Sequence, residues 1–207
     1  METLSKYDQI LNALQDLLKE RDVKNISVSD IAKRAGIGKG SIYYYFPSKD
    51  AILDALVEKN YKIPLETAKK LVQQKDLSPY DRMAMIFEAC QKSSREFLQH
   101  RRHQNKEISQ SAQEQAYIHQ KYLKYLIAEL KPSLAEIIKQ EIEDGLIQFD
   151  YANELAEIVL IVLTVKLDNT LVPSTPEEIE QCIRALVLLL EKGTGSLPGA
   201  LDYLTKI

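Results

Sequence analysis

Residues 26–50 constrain this chain more than any other stretch: they demand two short helices meeting at a single glycine, with a proline closing the second. The stretch reads Ile-Ser-Val-Ser-Asp-Ile-Ala-Lys-Arg-Ala-Gly-Ile-Gly-Lys-Gly-Ser-Ile-Tyr-Tyr-Tyr-Phe-Pro-Ser-Lys-Asp. Ser27 and Asp30 have the spacing of a reciprocal cap, so a helix is expected from Val28. Val28, Ile31, Ala32 and Ala35 recur with the helical period and form its inward face. Gly36 ends it, because an abrupt change of direction calls for left-handed backbone that glycine adopts without a Cβ clash. A second helix is expected from about Lys39 to Phe46, stopped by Pro47. Small Ala32 at the crossing, Gly36 at the turn and Ile42 pointing back into the core have the offsets of a DNA-binding helix-turn-helix.

At 100° per residue, Ile42 and Phe46 of the second helix face inward. Gly40, Ser41 and Tyr44 face outward, and Tyr43 and Tyr45 flank the buried edge. Three adjacent tyrosines have no good packing explanation in an ordinary helical hairpin. They make sense as phenols that donate to phosphates or pack on thymine methyls, beside a glycine that permits close approach. The candidate DNA contacts are Ser27, Lys39, Gly40, Ser41, Tyr43, Tyr44, Tyr45 and Lys49. Lys49, at the start of the next helix, is expected to face outward. Between Lys24 and Lys49 stand five cations (Lys24, Lys33, Arg34, Lys39, Lys49) against one anion (Asp30), in a chain whose net charge is −3. Basic charge is concentrated on the motif.

These residues resemble the N-terminal domain of the tetracycline-repressor (TetR) family of bacterial transcription regulators. The family pattern is met by Asp30-Ile31-Ala32, Ala35-Gly36-Ile37, Gly40-Ser41-Ile42-Tyr43-Tyr44-Tyr45-Phe46 and Ser48-Lys49. Gly38 departs from it, standing where the family often has a capping side chain. The resemblance covers about a quarter of the chain and implies an all-α protein: a three-helix DNA-binding domain over residues 1–47 and a helical ligand-binding and dimerisation domain over 48–207. It further implies a homodimer on a palindromic operator, released when an apolar or amphipathic effector favours a different spacing of the two reading helices. A constitutive or protein-gated dimer with no effector stays open as the alternative.

The remaining helices follow from caps and prolines. The first is expected from about Lys6 to Glu20, capped by Ser5, with Ile10, Leu11, Leu14, Leu17 and Leu18 inward. A fourth is capped by Ser48 and is kinked or ended at Pro64. Ser78 caps another to about Gln99. Helices follow over about Ile108–Leu130 and Pro132–Asp144, the latter closed by Gly145. Two late helices, Tyr151–Asn169 and Pro176–Lys192, are apolar nearly all round, so both sides of each must be covered. Two-fold pairing with a second copy would cover the outer side.

A ligand pocket is expected where polar groups interrupt apolar stripes. Ser94, Gln115, His119 and Tyr122 are the candidates, with Phe87 and Cys90 as lining. No cofactor and no metal is expected. Cys90 and Cys182 lack metal spacing and read as free thiols of a cytoplasmic protein, and His100-Arg101-Arg102-His103 reads as a solvated helix end. No Ser-His-Asp, paired-carboxylate or phosphate-loop pattern falls on one surface, so no enzyme is expected. The longest apolar run, Ile158–Val165, is far short of the roughly 20 residues a bilayer requires, and no export leader is evident.

Overall fold

The computed structural model describes residues 4–102, 112–168 and 172–206. Among these residues the chain is all-α. Its helices are α1 (Lys6–Glu20), α2 (Val28–Ala35), α3 (Lys39–Tyr45), α4 (Lys49–Leu71), α5 (Pro79–Arg102), α6 (Ala112–Glu143), α7 (Ala152–Asp168) and α8 (Pro176–Thr194), with short 3₁₀ turns at Val23–Asn25 and Asp202–Lys206. No described helix is long and apolar enough to cross a membrane.

The contacts group the chain into two compact units, residues 1–60 with 94–121 and residues 61–93 with 122–207. The divisions fall inside α4, α5 and α6 rather than at the proline that suggested 47/48. The reason lies in α4, whose Ile52, Leu53 and Leu56 are buried in the same core as α1, α2 and α3.

In the first unit, the sequence signals act as read. The Ser5 hydroxyl accepts from the Asp8 amide at 3.1 Å and caps α1. The reciprocal cap of α2 is complete: the Ser27 hydroxyl accepts from the Asp30 amide at 3.1 Å, and the Asp30 carboxylate accepts from the Ser27 amide at 2.8 Å. Gly36 takes φ +69°, so any side chain there would be strained. Ile10, Leu14, Ile31 and Ile42 are fully buried around this turn. The core also receives Ile118 of α6, and charged groups brace that contact. Lys121 of α6 pairs with Asp50 and Asp54 of α4 at 2.9 and 2.7 Å, while the Tyr117 hydroxyl donates to Asp50. The Lys121 hydrogen bond, then that of Tyr117, holds the Asp50 carboxyl below its ordinary range.

In the second unit two prolines fail to end helices. α4 continues through Pro64 to Leu71 and α6 through Pro132 to Glu143. A proline removes one backbone donor at a cost of about 3 kcal/mol, and here apolar burial on the proline's C-terminal side offsets it. Leu65, Ala68 and Leu71 are buried beyond Pro64, and Leu134, Ala135, Ile137 and Ile138 beyond Pro132. One long helix therefore replaces the pair expected on either side of Pro132; the expected start at Ile108 lies outside the described residues. α8 likewise runs past Lys192 and Gly193, ending at Gly195 with φ 70°.

Candidate nucleic-acid interface and interior cavity

α3 projects from the first unit because only one side of it is apolar. Ile42 is fully buried and Phe46 nearly so, its ring against Tyr7 at a centroid distance of 4.9 Å. The three tyrosines stay outside: Tyr43 is 50%, Tyr44 84% and Tyr45 39% exposed. Tyr44 and Tyr45 meet edge to face at 5.1 Å, which stiffens the pair without burying it. Ser27, Lys39 and Gly40 are exposed and Ser41 half-buried. A Cβ on Gly40 would meet nothing of the chain within 4 Å, so its own packing does not require a glycine there.

Lys49 departs from the expected outward orientation. Its ammonium donates to the carbonyl oxygens of Val23 and Ile26 at 2.6 and 2.8 Å. Those carbonyls border the turn before α2, where the Val23 carbonyl also accepts from the Ile26 amide at 3.2 Å, so the lysine ties α4 to that turn. Lys49→Met keeps the aliphatic stem and deletes both bonds, and is expected to destabilise the protein by about 1–3 kcal/mol. Urea unfolding checks this; an unchanged midpoint would contradict the clamp.

The second unit holds a partly open cavity of about 40 Å³, room for about three waters. α5 contributes Met83 and Phe87; α6 contributes Leu134, Ile138 and Glu141. α7 and α8 add Leu155, Ala156, Val159, Leu190 and Thr194, and the C-terminal segment closes it with Leu201, Tyr203 and Leu204. Glu141 is the anomaly. It is only 3% exposed, and its Oε1 has no hydrogen-bond partner. Burial pushes its carboxyl up to about 7, against a smaller opposing pull from the Arg82 guanidinium. Burial likewise raises the Tyr203 phenol.

Of the sequence-derived pocket residues, Phe87 lines this cavity. Cys90 and Tyr122 are buried away from it: burial pushes the Cys90 thiol up to about 12, and the Tyr122 ring stacks on Tyr61 at 4.8 Å. The side chains of Ser94, Gln115, His119 and the His100–His103 run lie outside what the structure describes. Sequence reasoning missed Glu141, Thr194, Ser196 and Tyr203. Glu141 had a signal, because it continues the buried stripe Leu134, Ile137, Ile138 at helical spacing, where a carboxylate is out of place. Among the described residues no group of acids, histidines and cysteines is placed to hold a metal.

α7 and α8 bury Leu155, Leu160, Leu163, Ile183 and Leu190 inward and leave Ile158, Ile161, Leu188 and Leu189 exposed. Leu188 and Leu189 are 54% and 67% exposed. Leu186 of α8 is 8% exposed, within the chain's own core.

Comparison with known proteins matches two stretches of the chain to family models. Residues 10–56 match the model of bacterial regulatory proteins of the tetR family, and residues 97–187 match a tetracyclin repressor-like C-terminal domain. The uncharacterised HTH-type transcriptional regulator YvdT of Bacillus subtilis is 40% identical over 57 residues, 28% of this chain and 29% of YvdT. EthR of Mycobacterium tuberculosis is 46% identical over 50 residues, 24% of this chain and 23% of EthR. These matches thus span less than a third of either relative. Over nearly the whole chain the fold is similar to that of SmeT, repressor of a multidrug efflux pump of Stenotrophomonas maltophilia, with TM-score 0.63, 15% identity, and 96% and 93% of the two chains covered.

Proposed function

Because the chain belongs to the tetR family of bacterial regulatory proteins, we propose that it is a homodimeric transcriptional repressor, reading a palindromic operator through α3 and released by a small apolar effector. The observation that carries this is the outer face of α3: three exposed tyrosines, Lys39, Gly40 and Ser41, none needed there by the chain's own core. Such a face has the phosphate donors, the cation and the close approach that a major groove requires. The effector site is the cavity of the second unit, and the dimer forms through the exposed residues of α7 and α8. The protein works in the cytoplasm on duplex DNA, and no catalytic step is assigned to it.

Each subunit holds one α3, so two half-sites about one helical turn or a multiple apart must be met together. An effector weakens DNA binding only by its differential affinity for the two spacings. A cavity of about 40 Å³ is too small for a drug-sized molecule. Entry therefore has to move the lining, and that movement is what gives an effector its preference between states. The same small volume also favours a second reading, a dimer with no effector.

Tyr44→Ala tests the interface, on a duplex selected for tight binding from a randomised pool. Its side chain is 84% exposed, so the melting temperature should stay put while affinity falls about 5- to 100-fold. Lys39→Ala should flatten the salt dependence by about one ion per subunit. Undiminished affinity in folded Tyr44→Ala would count against α3 as the reading element.

A further inference from the structure

We propose that the cavity of the second unit selects an apolar amine, with Glu141 receiving the protonated nitrogen and the surrounding side chains the hydrocarbon. This rests on the effector function proposed above and names the chemical class of the effector.

Three observations converge on Glu141. It is 97% shielded from solvent by its 3% exposure, lines the cavity, and has an Oε1 atom with no partner. A buried carboxylate oxygen without a donor is costly, so a molecule bringing a donor there recovers that cost. The rest of the lining supplies little competition. Thr194 already donates to the Leu190 carbonyl at 2.8 Å and shares a hydrogen bond with Ser196 at 2.7 Å. Leu134, Ile138, Leu155 and Leu190 are hydrocarbon.

The charge balance favours a cation over a neutral donor. Glu141 is the one lining residue with a carboxylate, and no lysine or arginine lines the cavity. Arg82 of α5 acts on Glu141 from outside the lining, but its guanidinium donates elsewhere, to the Val72 carbonyl at 3.3 Å and to the Gln140 side chain at 2.6 Å. Tyr80 of α5 and Tyr203 of the C-terminal turn also face Glu141 electrostatically, and both phenols stay protonated at neutral pH because their titration is shifted upward. Arg82 Nε has no hydrogen-bond partner of its own, and an ammonium in the cavity thus meets a carboxylate oxygen with no donor, opposed by Arg82 from outside the lining. An alcohol would gain only the hydrogen bond, and a carboxylate would meet a like charge.

Hexylamine, 1-hexanol and hexanoate carry the same chain on cationic, neutral and anionic heads, and calorimetry of each on the full-length protein at pH 8 is the test. The amine is expected to bind at least about tenfold more tightly than the alcohol, with hexanoate weakest. Lowering the pH from 7 to 6 should weaken the amine severalfold, towards about tenfold per unit at lower pH, because Glu141 must then lose a proton to receive it; the alcohol should show no such change. Glu141→Gln should bring the amine down to the alcohol. Equal affinities for amine and alcohol, or an amine preference that survives Glu141→Gln, would overturn the assignment while leaving the cavity as an effector site. If none of the three binds up to its solubility, both the assignment and the effector site fail.

Discussion

Leu189→Glu is expected to raise the dissociation constant of the homodimer about a thousandfold and to remove operator binding with it. The side chain is 67% exposed in the single chain, so a carboxylate there costs the isolated fold little. In a two-fold interface the substitution occurs twice, and each carboxylate is carried towards the face that exposes Ile158, Ile161 and Leu188. Burying an unpaired charge costs several kcal/mol, and about 4 kcal/mol is already a thousandfold. Operator affinity follows because a monomer meets one half-site instead of two. Leu186→Glu is the control: at 8% exposure it should unfold the second unit rather than split the dimer. Sedimentation equilibrium distinguishes the cases. A wild-type monomer at micromolar concentration, or a Leu189→Glu dimer of unchanged strength, would contradict the interface.

At pH 8, Glu141→Gln is expected to exceed the unchanged protein in stability by roughly 3 kcal/mol, and at pH 4.5 by nothing. The carboxyl titrates near 7 in the folded chain against an ordinary 4.5, and each unit of difference is worth about 1.4 kcal/mol. Between those values the folded state holds a proton that the unfolded state has released, so stability falls as pH rises. The contribution is full below 4.5, declines between, and is gone above about 7. Glutamine stays neutral throughout and escapes the decline. For a chain of this size the gain at pH 8 corresponds to about 6–12 °C in melting temperature. Thermal melts of both proteins from pH 4.5 to 8 check it; parallel profiles would mean that Glu141 is not held protonated by burial.

The helix-turn-helix and the exposed tyrosine face of α3 were legible in the sequence because their signals are local. Ser27 and Asp30 cap each other across three residues, Gly36 turns the chain, and Ile42 and Phe46 leave the intervening tyrosines on the other side. Each depends on neighbours within one or two turns. Lys49 was misread for the opposite reason: its partners, the carbonyls of Val23 and Ile26, lie more than twenty residues away, and nothing near Lys49 announces them. Pro64 and Pro132 show the same limit. Each is a strong local stop signal, overridden by burial of a stripe whose partners come from other helices. The cavity was the least legible feature, since it is assembled from α5, α6, α7, α8 and the C-terminal turn. Polar residues inside apolar stripes were the signal used for it. Applied to α6 they picked Tyr122, which stacks on Tyr61, and passed over Glu141, although its place at helical spacing on the stripe of Leu134, Ile137 and Ile138 marked it.

The most direct test of the protein as a dimeric reader of DNA is selection of bound duplexes from a fully randomised pool, followed by sequencing. An inverted repeat is expected, its half-sites separated by about one helical turn or a multiple of it, and Tyr44→Ala should fail to enrich that repeat. A pool that stays random, or one that converges on a single unrepeated half-site, would contradict a two-fold protein reading its operator through α3.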